Sequence, residues 1–220
     1  MDNNYDTHVF LSGLLGKPDY MNSRIWKEHQ EMQVRFLLSK GLTPDSTVLD
    51  VGCGPLRLGV ALIPRLTRGW YYGVDINADT LKAGRKVLSD AGVEASRVTL
   101  VCSADFDTTR VDRPIDIAFS NSLFSHLSLN SVLMCLKRVR GVIKEDGRYY
   151  STFFAVDRRD WLAPAVRQKW GRTFNTFPDR DPYHYSESML GRLADEAGFR
   201  MSLADDFGHP TQTMACFAPV

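Results

Sequence analysis

The chain has 220 residues, 44% of them hydrophobic, with 27 Lys and Arg against 26 Asp and Glu. A chain of this size forms one domain that buries roughly 70% of its unfolded surface, so it needs neither disulfides nor a structural metal. The formal net charge of +1 weighs against a protein that works by neutralising phosphate backbones, so nucleic acid is not the expected partner. Cys53, Cys102, Cys135 and Cys216 stand far apart, with no CxxC pair and no histidine cluster beside them. That spacing excludes an obvious zinc site or disulfide framework and predicts a reducing, cytoplasmic setting. Apolar runs such as Val60–Ile63 are far too short to span a membrane, and the polar, acidic Met1–Asp6 lacks the features of a secretory signal.

In chain order, Tyr20–Lys40 places Ile25, Met32, Phe36 and Leu37 on a helix-like face, a leading helix that packs on the core or over the site. Thr47–Val51 is a compact apolar run entering the turn Gly52-Cys53-Gly54-Pro55, and Leu56–Leu66 follows with helical spacing. Gly69–Asp75 predicts a second strand, Ala78–Ala91 a second helix closed by Gly92, and Val98–Cys102 a third strand. A fourth strand is expected at Ile115–Phe119, a helix at about Leu129–Ile143, and a fifth strand at Gly147–Phe154. The remainder reads as a helix over Ser186–Ala197 closed by Gly198, then strands at Phe199–Leu203 and Thr213–Phe217. Strands alternating with helices imply parallel pairing through right-handed crossovers, hence a layered α/β sheet.

Ligands of open α/β sheets bind beyond the carboxyl ends of the strands. Asp50-Val51-Gly52-Cys53-Gly54-Pro55 sits at such an end, and its glycines permit a tight turn and close approach of a ligand to the backbone. Asp75 follows Gly54 by 21 residues at the end of the second strand, a spacing suited to a carboxylate that grips two ribose hydroxyls. A dinucleotide would bring a pyrophosphate and usually a third glycine six positions on, where this chain has Arg57. Asp50 would repel that pyrophosphate. It suits a ligand with positive charge, such as the ammonium and sulfonium of S-adenosylmethionine.

Val48-Leu49-Asp50-Val51-Gly52-Cys53-Gly54, followed by Tyr72-Gly73-Val74-Asp75, resembles the first two motifs of class I S-adenosylmethionine-dependent methyltransferases. Asp105-Phe106, Phe119–Leu127 and Lys144-Glu145-Asp146-Gly147-Arg148 resemble the later segments of that family, the last of them its LKPGG turn. The chain departs from the usual GxGxG at Leu56. The resemblance implies a Rossmann-like, doubly wound, mostly parallel seven-stranded sheet with an antiparallel last strand and helices on both faces. It also implies roles. Asp50 and the Gly52-Cys53-Gly54 backbone would face the methionine moiety, and Asp75 the ribose, with Ile76 beside the adenine. Asp105 would accept from the adenine amino group, Phe106 would pack on the ring, and Asn121 would line the pocket floor.

Methyl transfer from a sulfonium is an in-line displacement to which the protein contributes alignment and exclusion of water; only a weakly acidic acceptor needs a general base. His126, just after the fourth strand, and His184, in a loop able to reach the site, are the candidate catalytic residues; His209 is a weaker one. A structural role competes with a catalytic one for each of the three. Ala155–Tyr185 is far longer than a usual crossover. It interleaves Trp161, Trp170, Phe174, Phe177, Tyr183 and Tyr185 with six cations, which predicts a lid over a small-molecule acceptor; the plainer alternative is a short helical cap with a satellite core.

The expected organisation is therefore one methyltransferase-like domain over 1–220: a leading helical segment at 1–44, a cofactor-binding core at 45–154, a lid at 155–185, and a closing helix and strands at 186–220. An NAD-dependent oxidoreductase and a cofactor-binding protein without transfer activity are the rival readings. No metal site, membrane association or oligomeric state is called for by the sequence.

Overall fold

The computed structural model describes residues 23–170 and 172–220, with Trp170 and Arg172 described in backbone only. Met1–Asp6 and Tyr20, at the expected start of the leading helix, lie outside the described residues. Within them the chain forms two compact units, 23–113 and 114–220.

In the first unit, Ser23 caps helix α1 (Arg24–Ser39) by accepting the Trp26 N–H on its Oγ. Trp26, Gln33 and Leu37 recur at helical spacing and are buried, as are Met32 and Phe36. Met32, Phe36 and Leu37 of the expected face are thus buried, but Ile25 is 55% exposed and Trp26 is buried in its place. Strand β1 (Thr47–Val51) is buried throughout and pairs in parallel with β2 (Trp70–Asp75), which pairs in parallel with β3 (Val98–Cys102). Burial on both faces explains the unbroken apolar runs. Helix α2 (Arg57–Leu62) passes into a 3₁₀ turn, Ile63–Arg65, where Pro64 removes a backbone donor. Helix α3 (Ala78–Asp90) begins at Asn77, whose side chain accepts the Thr80 N–H.

The second unit opens with β4 (Ile115–Ser120), a 3₁₀ turn at Phe124–His126 and helix α4 (Leu129–Arg140), capped by Ser128. Lys137, Arg138 and Arg140 lie in the last turn of α4, where the helix dipole favours positive charge. β5 (Ile143–Ala155) runs parallel to β4 and begins earlier than expected. The segment resembling an LKPGG turn is a bulge within β5: Ile115 pairs with Ile143, but Ile117 pairs with Arg148. A Cβ at Gly147 would lie 2.7 Å from Ile143 and 2.9 Å from the Ile115 carbonyl oxygen, so the bulge needs glycine there.

The 155–185 segment contains a hairpin, β6 (Val166–Trp170) with β7 (Arg172–Thr176), where the plainer alternative expected a helical cap. Period-two alternation from Val166 to Thr176 favours strands. β8 (His184–Tyr185) returns to pair with β5, and α5 (Glu187–Glu196) is capped by Ser186. β9 (Phe199–Leu203) and β10 (Thr213–Pro219) close the chain, β10 running antiparallel to both β5 and β9. Strands β1–β3 in one unit and β4, β5, β9 and β10 in the other account for the expected seven; β8 is a short addition. The fold is mixed α/β with a mostly parallel sheet and an antiparallel last strand, as expected. Among the described residues no helix is long and apolar enough to cross a membrane.

Candidate active site

Asp50 lies at the penultimate position of β1 and is 4% exposed. Its register partner on β2 is Gly73, two residues beyond Tyr71, so Asp50 and Tyr71 share one face of the pair. The Tyr71 hydroxyl donates to Asp50 Oδ2 at 2.5 Å. Burial pushes the Asp50 carboxyl up to about 7; the nearby Asp75 charge adds to the rise, while the Tyr71 hydrogen bond and Arg57 oppose it. Burial also pushes the Cys53 thiol and the Tyr71 phenol upward, so neither is an ionised nucleophile. A Cβ at Gly73 would come 2.9 Å from Cys53 Sγ, which accounts for a small side chain at position 53.

Gly52 and Gly54 both have left-handed φ values, 71° and 54°, and the Gly52 and Cys53 amides both donate to the Val74 carbonyl. Space beside Gly54 is open where a side chain would begin. Leu56, the departure from the family pattern, keeps the left-handed conformation at φ 61°. It is fully buried, and a Cβ at Gly84 would lie 2.7 Å from its Cγ. The conformational cost of about 1–2 kcal/mol at Leu56 is offset by its burial against α3.

Asp75 ends β2. Its carboxylate accepts the Gly54 N–H at 2.8 Å and the Asn77 N–H at 2.9 Å, which ties the glycine turn to the start of α3. Burial raises its pKa, opposed by hydrogen bonds from the Asn77, Gly54 and Ile76 amides. Ile76, beside it, is 39% exposed. After β3, Ser103 Oγ accepts the amides of Asp105 and Asp107 and donates to Asp105 Oδ1 at 2.7 Å, holding Phe106 at φ 58°. Arg57 stacks on Trp26 at 5.6 Å, and Gln30 Nε2 donates to the Arg57 carbonyl at 2.6 Å, so α1 is fastened to the first turn of α2.

In the second unit, Asn121 Nδ2 donates to Ser122 Oγ at 3.2 Å, while Asn121 Oδ1 is buried without a partner among the described residues. His126 Nδ1 contacts both carboxylate oxygens of Asp181, at 2.8 and 2.9 Å, and its side chain is 27% exposed. His184 is placed otherwise than a catalyst requires. It is 1% exposed, its Nε2 donates to the Trp161 carbonyl at 3.1 Å, and its Nδ1 accepts from Thr176 Oγ1 at 3.0 Å. With both nitrogens committed in a closed interior, His184 fastens the 155–185 segment and is withdrawn as a base. His209 Nδ1 accepts the amides of Thr211 and Gln212. Tyr71 and Asp181 are the partners that sequence reasoning did not attach to the site. For Tyr71 the strand alternation carried a signal, since it stands two residues before the partner of Asp50.

A family model described as a methyltransferase domain matches residues 48–147, which hold Asp50, the glycine turn, Asp75, Asp105 and Asn121. Residues 48–147 therefore match a methyltransferase domain. A sphingolipid C9-methyltransferase A of Emericella nidulans is 24% identical over 211 residues, covering 91% of this chain. The chain spans 38% of the length of that curated relative. Among solved structures, a Pyrococcus horikoshii protein matches with a TM-score of 0.67 at 17% identity, covering 92% of this chain and 96% of that one. The magnesium protoporphyrin IX methyltransferase of Synechocystis, solved with bound S-adenosylmethionine, matches at 0.66 and 12% identity, covering 100% and 98%. These likenesses establish the methyltransferase fold.

Proposed function

We propose that the chain transfers a methyl group from S-adenosylmethionine to a small-molecule acceptor. The observation that carries this reading is the Asp75 carboxylate, fixed at the end of β2 by the Gly54 and Asn77 amides beside an open glycine turn. Fixed this way, the carboxylate retains acceptor capacity for the vicinal hydroxyls of a ribose. Asp50 supplies buried negative charge suited to the cationic methionine end, and the left-handed Gly52-Cys53-Gly54 backbone allows close approach. Ile76 supplies exposed apolar surface and Asp105 a carboxylate for the adenine, while Phe106 beside Asp105 is buried. The residues present fit the cofactor.

When bound, the cofactor supplies an activated methyl group, which leaves the protein to align the acceptor and exclude water. For an acceptor that must lose a proton we assign the base to His126. Asp181 on Nδ1 favours the tautomer with its proton on Nδ1 and its lone pair on Nε2. An unchanged pH–rate profile in His126→Gln would remove it from the reaction. We place the protein in a reducing compartment such as the cytoplasm, in keeping with four cysteines outside any disulfide. A thermal-shift series tests the central reading: S-adenosylmethionine is expected to raise the melting temperature and NAD to leave it unchanged. The reverse would establish the oxidoreductase alternative.

A further inference from the structure

The unit from Pro114 onward holds a polar cluster of which the cofactor reading uses only Asn121. Beyond β4 the backbone passes through Ser122 at φ 60°, a conformation a serine keeps only where its surroundings enforce it. Its N–H donates to Thr152 Oγ1 at 2.6 Å and its Oγ donates to Gln212 Oε1 at 3.2 Å. Asn121 Nδ2 donates to the same Ser122 Oγ. The segment before β10 meets this turn and is equally fixed. Phe207 packs edge-on against Phe119 at 6.1 Å, and the His209 ring stacks on Phe207 at 6.2 Å and 9°. His209 Nδ1 then accepts the Thr211 N–H at 3.2 Å and the Gln212 N–H at 2.9 Å.

Two buried atoms of this frame have no hydrogen-bond partner among the described residues: Asn121 Oδ1 and Thr211 Oγ1. Buried polar atoms are nearly always paired, so two exceptions on segments joined by the Ser122–Gln212 bond mark a place for a ligand's polar atoms. We propose that Asn121 and Thr211 bind a neutral, hydroxyl-bearing part of the methyl acceptor. The proposal rests on the methyltransferase reading and moves Asn121 from the cofactor's residues to the acceptor's. Asn121 Oδ1 only accepts, so it requires an O–H or N–H; the Thr211 hydroxyl donates or accepts. Asn121, Ser122, Thr211 and Gln212 carry no charge, so a carboxylate, phosphate or ammonium gains no counter-charge from them. A hydroxyl, which donates and accepts, has the hydrogen-bonding capacity to pair with either atom.

The test is saturation-transfer NMR on the full chain, with and without S-adenosylhomocysteine, using glycerol and myo-inositol as neutral probes and succinate and putrescine as charged ones. Transfer to a neutral probe is expected in the wild type, weakened about tenfold in Asn121→Leu and in Thr211→Val. Cofactor affinity by calorimetry is expected to stay within about twofold of wild type in both. Thr211→Val removes only a hydroxyl and decides the matter if Asn121→Leu does not fold. The proposal is overturned by no transfer to either polyol, by equal transfer in the folded variants, by preference for a charged probe, or by lost cofactor affinity in Asn121→Leu. Absent cofactor binding in the wild type would instead strike the methyltransferase reading, while the cofactor-free NMR arm still tests the subsite.

Discussion

In the proposed function, the ends of β1 and β2 and the polar turn after β4 solve opposite recognition problems. At the first, Asp50 is buried and held by the Tyr71 hydroxyl, while Asp75 is half-buried and held by the Gly54 and Asn77 amides. At the second, the side chains of Asn121, Ser122, Thr211 and Gln212 are uncharged, side chains and backbone amides together make the frame, and two polar atoms are unpaired among the described residues. Backbone amides and strand-end carboxylates read a fixed, charged ligand and tolerate little change. A side-chain frame of Asn, Ser, Thr and Gln changes with each substitution, which is the behaviour expected where an acceptor is selected.

If the contrast is right, the largest effect belongs to Asp75→Ala. Losing the carboxylate is expected to weaken S-adenosylmethionine binding by about a hundredfold or more, measured by calorimetry. Unchanged affinity would break the comparison at its first term. Leu56→Gly comes next. It restores the family's glycine and relieves left-handed strain, yet empties a fully buried position. A net loss of about 2 kcal/mol is expected in denaturant unfolding, because cavity formation outweighs the relief; a gain in stability would mean that α3 closes over the gap. Tyr71→Phe is smaller, about 1 kcal/mol. Without the hydroxyl the Asp50 carboxyl rises further, so its proton persists to higher pH. The same linkage predicts the sign in the unliganded wild type. The folded-state pKa of Asp50 lies above its unfolded value, so its contribution is present below about pH 4 and is lost as pH rises toward about 7. Urea titrations across that window that show no decline absent from Asp50→Asn would contradict the assignment.

The two regions also differ in how far the sequence discloses them. Thr47–Val51 and Val98–Cys102 match the observed strands residue for residue, because a buried parallel strand bounded by turns is a local pattern. The glycine turn and Asp75 were legible for the same reason. The hairpin β6–β7 was not, since its alternation mixes arginine, lysine and glutamine among few apolar residues. The leading helix was found with Met32, Phe36 and Leu37 on its buried face, but at its start Ile25 is exposed and Trp26, which meets Arg57, is buried instead. The His126–Asp181 pair spans 55 positions and the Ser122–Gln212 bond 90, distances over which no local spacing carries information. His184 shows the converse. A loop histidine beside aromatics reads as available chemistry, and only the fold reveals that both of its nitrogens are spent.

The most direct test of the buried-acid site is calorimetry of S-adenosylmethionine binding at pH 6 and pH 8, on the wild type and on Asp50→Asn. With the Asp50 carboxyl at about 7, the ionised, binding-competent population rises roughly tenfold over that interval. Wild-type affinity is therefore expected to rise by about the same factor, and that of Asp50→Asn to stay flat. Equal pH dependence in the two proteins would contradict a role for the buried Asp50 charge in holding the cationic cofactor.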